Sequence, residues 1–423
     1  MKISQIIEFN PRTRIPKGQE LPFIEMAALP IHERDIPSYQ YRVASGSGSK
    51  FRNGDTLLAR ITPCLENGKG GMVRGIPGDG IAHGSTEFIV MRARHETDVE
   101  FVYYVSRLPE FRRFAIQQMS GTSGRQRVNW QSLTEFELAD ISEVDRRHIG
   151  LILSALDDKI ELNRRMNETL EAMARAIFKD WFIDFGPTRD KAECREPYLS
   201  SELWELFPDA LDDEDKPVGW STSEIGKEVQ AAGGATPSTK EPAYWDGGEY
   251  HWATPKDLSK LSAPVLLGAD RKITDAGVHK ISSGLLPIGT VLLSSRAPIG
   301  YLAIAEVPTA VNQGFIAMVC NNRVSNVFVL FWCYENLDYI KGISGGSTFA
   351  EISKRAFRPI PITVPSAEVL EAFDSIVQPL YRQIVANTKE SSMLAETRDL
   401  LLPKLMSGEI RLRDAEKAVE AVA

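Results

Sequence analysis

Hydrophobic positions along the chain follow two rhythms, and each rhythm occurs twice. Between Ile149 and Leu170, and again between Phe373 and Leu394, apolar residues mostly step by three and four, the period of one helical face. Upstream of each stretch lie short β-rich runs after glycine-led turns. They read "NGDTLLARITPCLENGKGGMV" and "STEFIVMRAR" in the first half, "PIGTVLLSSRAPIGYLAIAEV" and "NQGFIAMVCN" in the second. The predicted order is globular module, long helix, globular module, long helix.

A shift of 224 residues lays one half on the other without gaps for about sixty positions. Ile149, Ile152, Leu156, Ile160, Asn163 and Leu170 fall on Phe373, Ile376, Leu380, Ile384, Asn387 and Leu394, and Ile177 and Trp181 on Leu401 and Leu405. Each helix is expected to run for roughly 35–40 residues, about 50–60 Å at the standard rise. Pro379 and Pro403 predict an early kink and an earlier end for the second one. Two long helices in matched register are better explained by mutual packing as a coiled coil than as separate core helices. Asn163 and Asn387 both occupy the apolar stripe, where a polar residue fixes register at a cost in stability; exposure at the edge of the seam is the other reading.

Before each helix comes a glycine- and serine-rich loop, "QMSGTSGRQRV" from Gln118 and "GISGGSTFAEI" from Gly342. Ser120, Gly121, Ser123 and Val128 fall on Ser344, Gly345, Ser347 and Ile352, whereas Arg125 and Arg127 fall on Phe349 and Glu351. The shared residues make the turn. The differing ones are where two modules read different targets.

The fold class predicted is α+β: two globular modules separated by two long antiparallel coiled-coil helices, with an internal pseudo-twofold repeat. The expected boundaries are 1–141 for the first module, 142–186 for the first long helix and 187–220 for an acidic linker. They continue with 221–364 for the second module, 365–407 for the second long helix and 408–423 for a C-terminal tail. One module then sits at each end of a rod, an arrangement that suits two half-sites on DNA. Because the modules differ, the half-sites differ, and the site is bipartite and asymmetric.

Length and composition fit this picture. A chain of 423 residues with 43% hydrophobic and 9% aromatic content is expected to form two or three cored domains. No apolar run reaches membrane-spanning length and the N-terminus has no secretory pattern, so a soluble, cytoplasmic protein is expected. Cys64, Cys194, Cys320 and Cys333 form no CxxC pair, and the six histidines show no metal-ligand spacing. They read as buried thiols in a reducing compartment, with no metal.

The net charge of −8 argues against nucleic acid until it is divided along the chain. Residues 1–140 carry 18 basic against 16 acidic side chains and residues 231–364 carry 12 against 10, so each module has a net charge of +2. Residues 191–230 carry 4 against 11, and the acidity therefore sits largely in the connector. DNA remains a partner, though charge attraction alone is not the basis of binding.

Catalytic signatures are missing. There is no GxxxxGK[ST] loop. "SGSGSKF" (45–51) lacks a third glycine, and Asn10-Pro11 is followed by Arg12 instead of the second proline of an adenine-methyltransferase motif. "PDALDDEDK" (208–216), with Asp209, Glu214 and Lys216, imitates a nuclease pattern at too short a spacing and reads as linker. The chain is expected to have no chemistry of its own and no cofactor. The alternatives are a protein-binding coiled-coil scaffold and a self-contained DNA methyltransferase or nuclease.

Several stretches resemble the specificity (S, or HsdS) subunits of type I restriction–modification systems. "GGATPSTKEPAYWDGGEYHWATPKDL" (233–258) is similar to the opening of a target-recognition domain of that family, and "LARITPCLENGKGG" (58–71) with "HGSTEFIVMRA" (83–93) resembles another common type. "FKDWFIDFGP" (178–187) and "LLPKLMSGEIRL" (401–412) resemble the ends of the family's two conserved helices. The tail "RDAEKAVEAVA" (413–423) departs into generic helix-prone sequence.

The resemblance implies a non-catalytic DNA reader whose helices bind two modification (M) subunits, joined by restriction (R) subunits. S-adenosylmethionine and ATP then belong to the partners. Met166, Met173, Phe178, Trp181 and Phe182 are the expected M-subunit interface, with completion of the internal seam as the competing role. Base edges are read by Arg or Lys on guanine and Asn or Gln on adenine. In the first module the candidates are Arg60, Lys69, Arg125, Gln126 and Arg127. In the second they are Thr236, Ser238, Lys240, Tyr244, Trp245, Lys256, Arg296, Lys354 and Arg355.

Overall fold

The computed structural model of the chain describes residues 1–420 except 17, 45, 123, 297 and 346–349. Ser123, Ser347 and Phe349 of the two loops therefore lie outside the described residues. The chain divides into two units, Met1–Leu162 with Glu390–Ala423, and Asn163–Lys389.

Unit 1 holds β1 (Ile7–Phe9), β2 (Glu20–Ile24), β3 (Gln40–Val43), β4 (Ser49–Arg52), β5 (Thr56–Ala59), β6 (Gly70–Met72), β7 (Ile81–Gly84) and β8 (Phe88–Ala93). A hairpin of β9 (Met119–Ser120) and β10 (Arg127–Val128) follows. One antiparallel sheet has the order β1-β8-β5-β6, and β5 and β8 are buried on both faces. Strand alternation then sends their residues to two cores. Leu57, Ala59, Phe88 and Val90 join Ile24 and Phe51 from the second sheet, while Leu58, Ile89 and Met91 pack towards helical residues such as Phe101, Tyr104 and Leu153. The second sheet has the order β3-β2-β7-β4, with β2 and β7 parallel.

Unit 2 repeats the scheme with β11 (Ser221–Glu224), β12 (Gln230–Ala232), β13 (Tyr250–Ala253), β14 (Val265–Leu266), β15 (Arg271–Ile273), β16 (Val291–Ser295), β17 (Ile299–Ala305), β18 (Thr309–Val311), β19 (Phe315–Val319) and β20 (Pro361–Val364). The main sheet is β12-β19-β16-β17-β14. Leu292, Phe315 and Ala317 face one core, and Val291, Leu293, Ile316 and Met318 the other. A small sheet β15-β13-β18 again contains one parallel pair, β13 with β18. The strands repeat as the helices do, in keeping with the matched β-rich runs upstream of each helix.

The long helices are Glu143–Phe182, 40 residues, and Ala367–Ser407, 41 residues. Pro379 and Pro403 do not shorten the second, contrary to expectation. Phe373, Val377, Tyr381, Ile384 and Leu401, Leu402, Leu405 are buried on either side of them, and this packing outweighs the missing N–H groups. Each unit contains an antiparallel stretch of the pair. In unit 2 the Phe373 ring lies 5.0 Å from Phe182, while Asn387 donates to Asn167 at 2.9 Å. Advancing along one helix retreats along the other. In unit 1 Arg398 is bonded to Asp157, and Glu390 pairs with Lys159 at 3.4 Å.

Asn163 and Asn387 are buried, 1% and 3% exposed, which removes the seam-edge reading. Asn163 Nδ2 donates to the Asn387 carbonyl at 3.4 Å, and Asn167 Nδ2 to Thr388 at 3.3 Å. Residue 163 thus lies opposite its own equivalent under the 224-residue shift. In unit 1's stretch of the pair the buried polar group is ionic instead: Asp157 accepts from Arg398 and from Tyr104 Oη at 2.6 Å.

The acidic connector is exposed over much of its length, while Pro187, Thr188, Phe207 and Trp220 are buried and Leu199, Leu203 and Leu206 of "YLSSELWELFP" pack on the unit 2 core. The helix-prone tail forms a helix, Leu412–Glu420, that buries Ala415 against unit 1 and packs Ala418 and Val419 beside it. One further expectation needs correction: Cys194 is exposed, unlike the buried Cys333 and the half-buried Cys64 and Cys320. No helix among the described residues is long and apolar enough to cross a membrane.

Candidate nucleic-acid interface

The two glycine-rich loops are hairpins of the same kind. In unit 1 Gly121 and Gly124 take positive φ, and β10 returns to bridge Ile61 at the end of the β5 run. In unit 2 Glu351 bridges both Gly345 and Arg296, the latter just past β16. Backbone bonds agree: Val128 N–H donates to the Arg60 carbonyl and Ile352 N–H to the Ser295 carbonyl, at 2.9 and 3.0 Å.

The equivalent residues Arg127 and Glu351 carry opposite charge, and each has an internal counter-charge of the opposite sign. The Arg127 guanidinium grips Glu87 with contacts of 2.7 to 3.0 Å. That hydrogen bond and the carboxylate's charge raise the Arg127 pKa above its ordinary value. Arg296 stands 4.0 Å from Glu351. Arg127 is therefore occupied in the free chain rather than projecting alone. Lys69 is also engaged, its ammonium donating to the Met26 carbonyl at 3.0 Å. Arg60 is half-buried, with Nε enclosed and unbonded. Gln126 is half-buried and Arg125 exposed.

In unit 2, Thr236, Ser238, Lys240, Lys256, Lys354 and Arg355 are exposed. Thr236 donates to Gln313 at 2.7 Å. Trp245 is structural as well as accessible: its Nε1 donates to the Ser238 carbonyl at 3.0 Å, and its ring lies 5.1 Å from Trp252. Tyr244 is half-buried, with the Lys280 ammonium 5.9 Å from its ring.

Sequence reasoning missed the outer face of the small sheets. In unit 1, register places Gln40, Phe23, His83 and Lys50 in one row across β3-β2-β7-β4, with Arg42 and Arg52 two residues along their strands. The opposite face supplies Ile24, Phe51 and Ala82 to the core. The Arg42 guanidinium lies 4.2 Å from the centre of the Phe23 ring, donates to Gln40 Oε1 at 2.8 Å and approaches Glu25 at 3.4 Å. In unit 2 the matching face carries Trp252, Arg271 and Ala310, and Arg271 lies 3.8 Å over Trp245. The available signal was "YQYRV" (39–43), a strand that alternates tyrosine or valine with polar groups yet buries none of them.

The expected partner-docking set splits in two. Phe178, Trp181 and Phe182 are 0%, 2% and 5% exposed and interlock with Phe328 and Phe373 in the unit 2 core, so they are not available to a partner. Met166 and Met173, seven residues apart, remain exposed. On the unit 1 part of the same helix, Val144, Leu151 and Leu162 are exposed at spacings of seven and eleven.

Residues 217–392 match a family model described as the type I restriction modification DNA specificity domain. The MjaIX specificity subunit of Methanocaldococcus jannaschii is 38% identical over 182 residues, 43% of this chain and 42% of that protein. The HindI specificity subunit of Haemophilus influenzae is 25% identical over 375 residues, 77% of this chain and 81% of that one. A crystal structure of a type I restriction–modification S subunit from M. genitalium has the same fold. Its TM-score is 0.51 at 15% identity, with 96% of this chain and 95% of that one covered. Duplicated strand order and paired long helices thus go together with similarity to the type I restriction–modification specificity subunits, the family-model match covering residues 217–392.

Proposed function

We propose that this chain is the DNA-reading subunit of a type I restriction–modification complex and that each unit reads one half of a bipartite, asymmetric site. The observation that carries this reading is the repeated strand order with unlike side chains on equivalent surfaces. A common scaffold with Arg127 in one copy and Glu351 in the other suits recognition of two different half-sites. Modification subunits dock on the exposed apolar positions of the first long helix, Val144, Leu151 and Leu162 in unit 1 and Met166 and Met173 in unit 2. Restriction subunits join that assembly. Methyl transfer and ATP use belong to those partners, and the chain supplies sequence choice.

The test is to sequence methylated adenines in cells with and without this chain, the modification subunit being present in both. A two-part motif that appears only with the chain is the expected result. A motif unchanged by its removal, or methyl transfer by the purified chain alone, refutes the reading. The scaffold alternative predicts no specific DNA retention by the assembled complex in the presence of competitor.

A further inference from the structure

Unit 2 covers the outer face of its small sheet with its own chain. Trp252, Ile273 and Ala310 lie beneath Trp245, Ile281 and Leu285, so nothing large reaches these three residues, and of that row only Arg271, stacked on Trp245, is exposed. Unit 1 leaves the equivalent face open. There a depression of about 460 Å³ is walled by Phe23, Glu25, Arg42, Gly48, His83 and Thr86. All four residues of β3 are exposed. Three cations stand on this face, Arg42, Lys50 and Arg52, against one carboxylate, Glu25. Among the described residues neither Lys50 nor Arg52 has a carboxylate at ion-pair distance, and a face so charged complements a polyanion.

The geometry also suits base reading. Strands β2 and β3 form a two-stranded antiparallel ribbon at the sheet edge, the β element that a DNA major groove admits. Gln40 and Arg42 project from the same side of it, hydrogen-bonded to each other. Arg42 is further held by the Phe23 ring and Glu25, so less side-chain freedom is lost when it meets a base. These are the side chains whose forks match guanine and adenine edges.

We propose that this open face is the DNA-reading surface of unit 1: the β2–β3 ribbon enters the major groove, Arg42 and Gln40 contact base edges, and Lys50 and Arg52 hold phosphates. This rests on the DNA-reading function argued above and names the surface that performs it. The glycine-rich hairpin is then not the sole reading element, since Arg127 is committed to Glu87.

The experiment uses the complex of the full chain with its modification subunits, reading methylated motifs by sequencing and binding by titration with labelled duplex. Arg42→Ala is expected to relax one base position in a single half-site and weaken binding to the original site by roughly 5- to 150-fold, leaving the other half-site unchanged. The Lys50→Ala/Arg52→Ala double variant should weaken all duplexes alike and flatten the salt dependence by about two counterions. Circular dichroism melts and retention of the modification subunits control for folding and assembly. An unchanged motif and unchanged affinity in Arg42→Ala overturn the proposal while leaving the DNA-reading function intact. Loss of subunit retention without relaxed sequence choice also overturns it and marks the face as a protein contact. If the unaltered complex methylates no defined sequence, the parent reading fails instead.

Discussion

The two units solve one packing problem with different chemistry. Where the long helices meet in unit 2, Phe178, Trp181, Phe182, Phe328 and Phe373 interlock in edge-to-face and tilted contacts, at centroid distances of 4.9 to 6.3 Å among the contacts of Phe182 and Phe373. In unit 1 the helices are joined by leucines around a buried ionic group, Asp157 with Arg398 and Tyr104. Aromatic pairs add about 0.5–1.5 kcal/mol each beyond the area they bury. A buried ion pair makes a small net contribution yet is costly to break, because the survivor is left charged in a poor solvent. Unit 2 is thus held here chiefly by aromatic packing, and unit 1 by leucines around an ionic group that is costly to break.

That contrast can be broken experimentally, with amide hydrogen exchange reading each unit separately because one global transition does not describe a two-unit chain. Phe373→Ala should have the largest effect, about 3–5 kcal/mol, confined to residues 163–389. Asp157→Asn keeps the shape and removes the charge that Arg398 needs; about 2–3 kcal/mol should be lost in unit 1. Equal loss of protection in both units from either change would erase the distinction. Asn387→Ala leaves the Asn167 side chain without one buried partner and should cost about 1–2 kcal/mol within unit 2. Smallest of all, the exchange Glu87→Arg with Arg127→Glu gives unit 1 the polarity of Arg296 and Glu351. It should leave the exchange protection of unit 1 unaltered while each single reversal lowers it.

What was legible in the sequence follows from which forces act locally. Helical periodicity at Ile149–Leu170 and Phe373–Leu394 marks both long helices because the stripe repeats for many turns. The equivalence of the loops survives in glycines and serines that the backbone demands. The prolines at 379 and 403 misled because intrinsic propensity yields to packing along a buried helix. Phe178, Trp181 and Phe182 looked like a docking face because a sequence does not say which of two apolar surfaces a module will cover. The open sheet face was invisible for a related reason. Only the register that sets Arg42 and Gln40 beside Phe23, and the absence among the described residues of a covering segment like the one around Trp245, distinguish it from any other polar strand.

The interrupted course of unit 1 has a consequence for synthesis. Its first 162 residues leave the ribosome lacking Leu394, Leu401, Leu402, Leu405 and Met406, which complete their core. All of unit 2 is translated in between, which takes roughly 10–50 seconds at ~5–20 residues per second. The downstream unit therefore matures first and the upstream one waits half-built, with its leucine-lined gap the surface that chaperones have most time to meet.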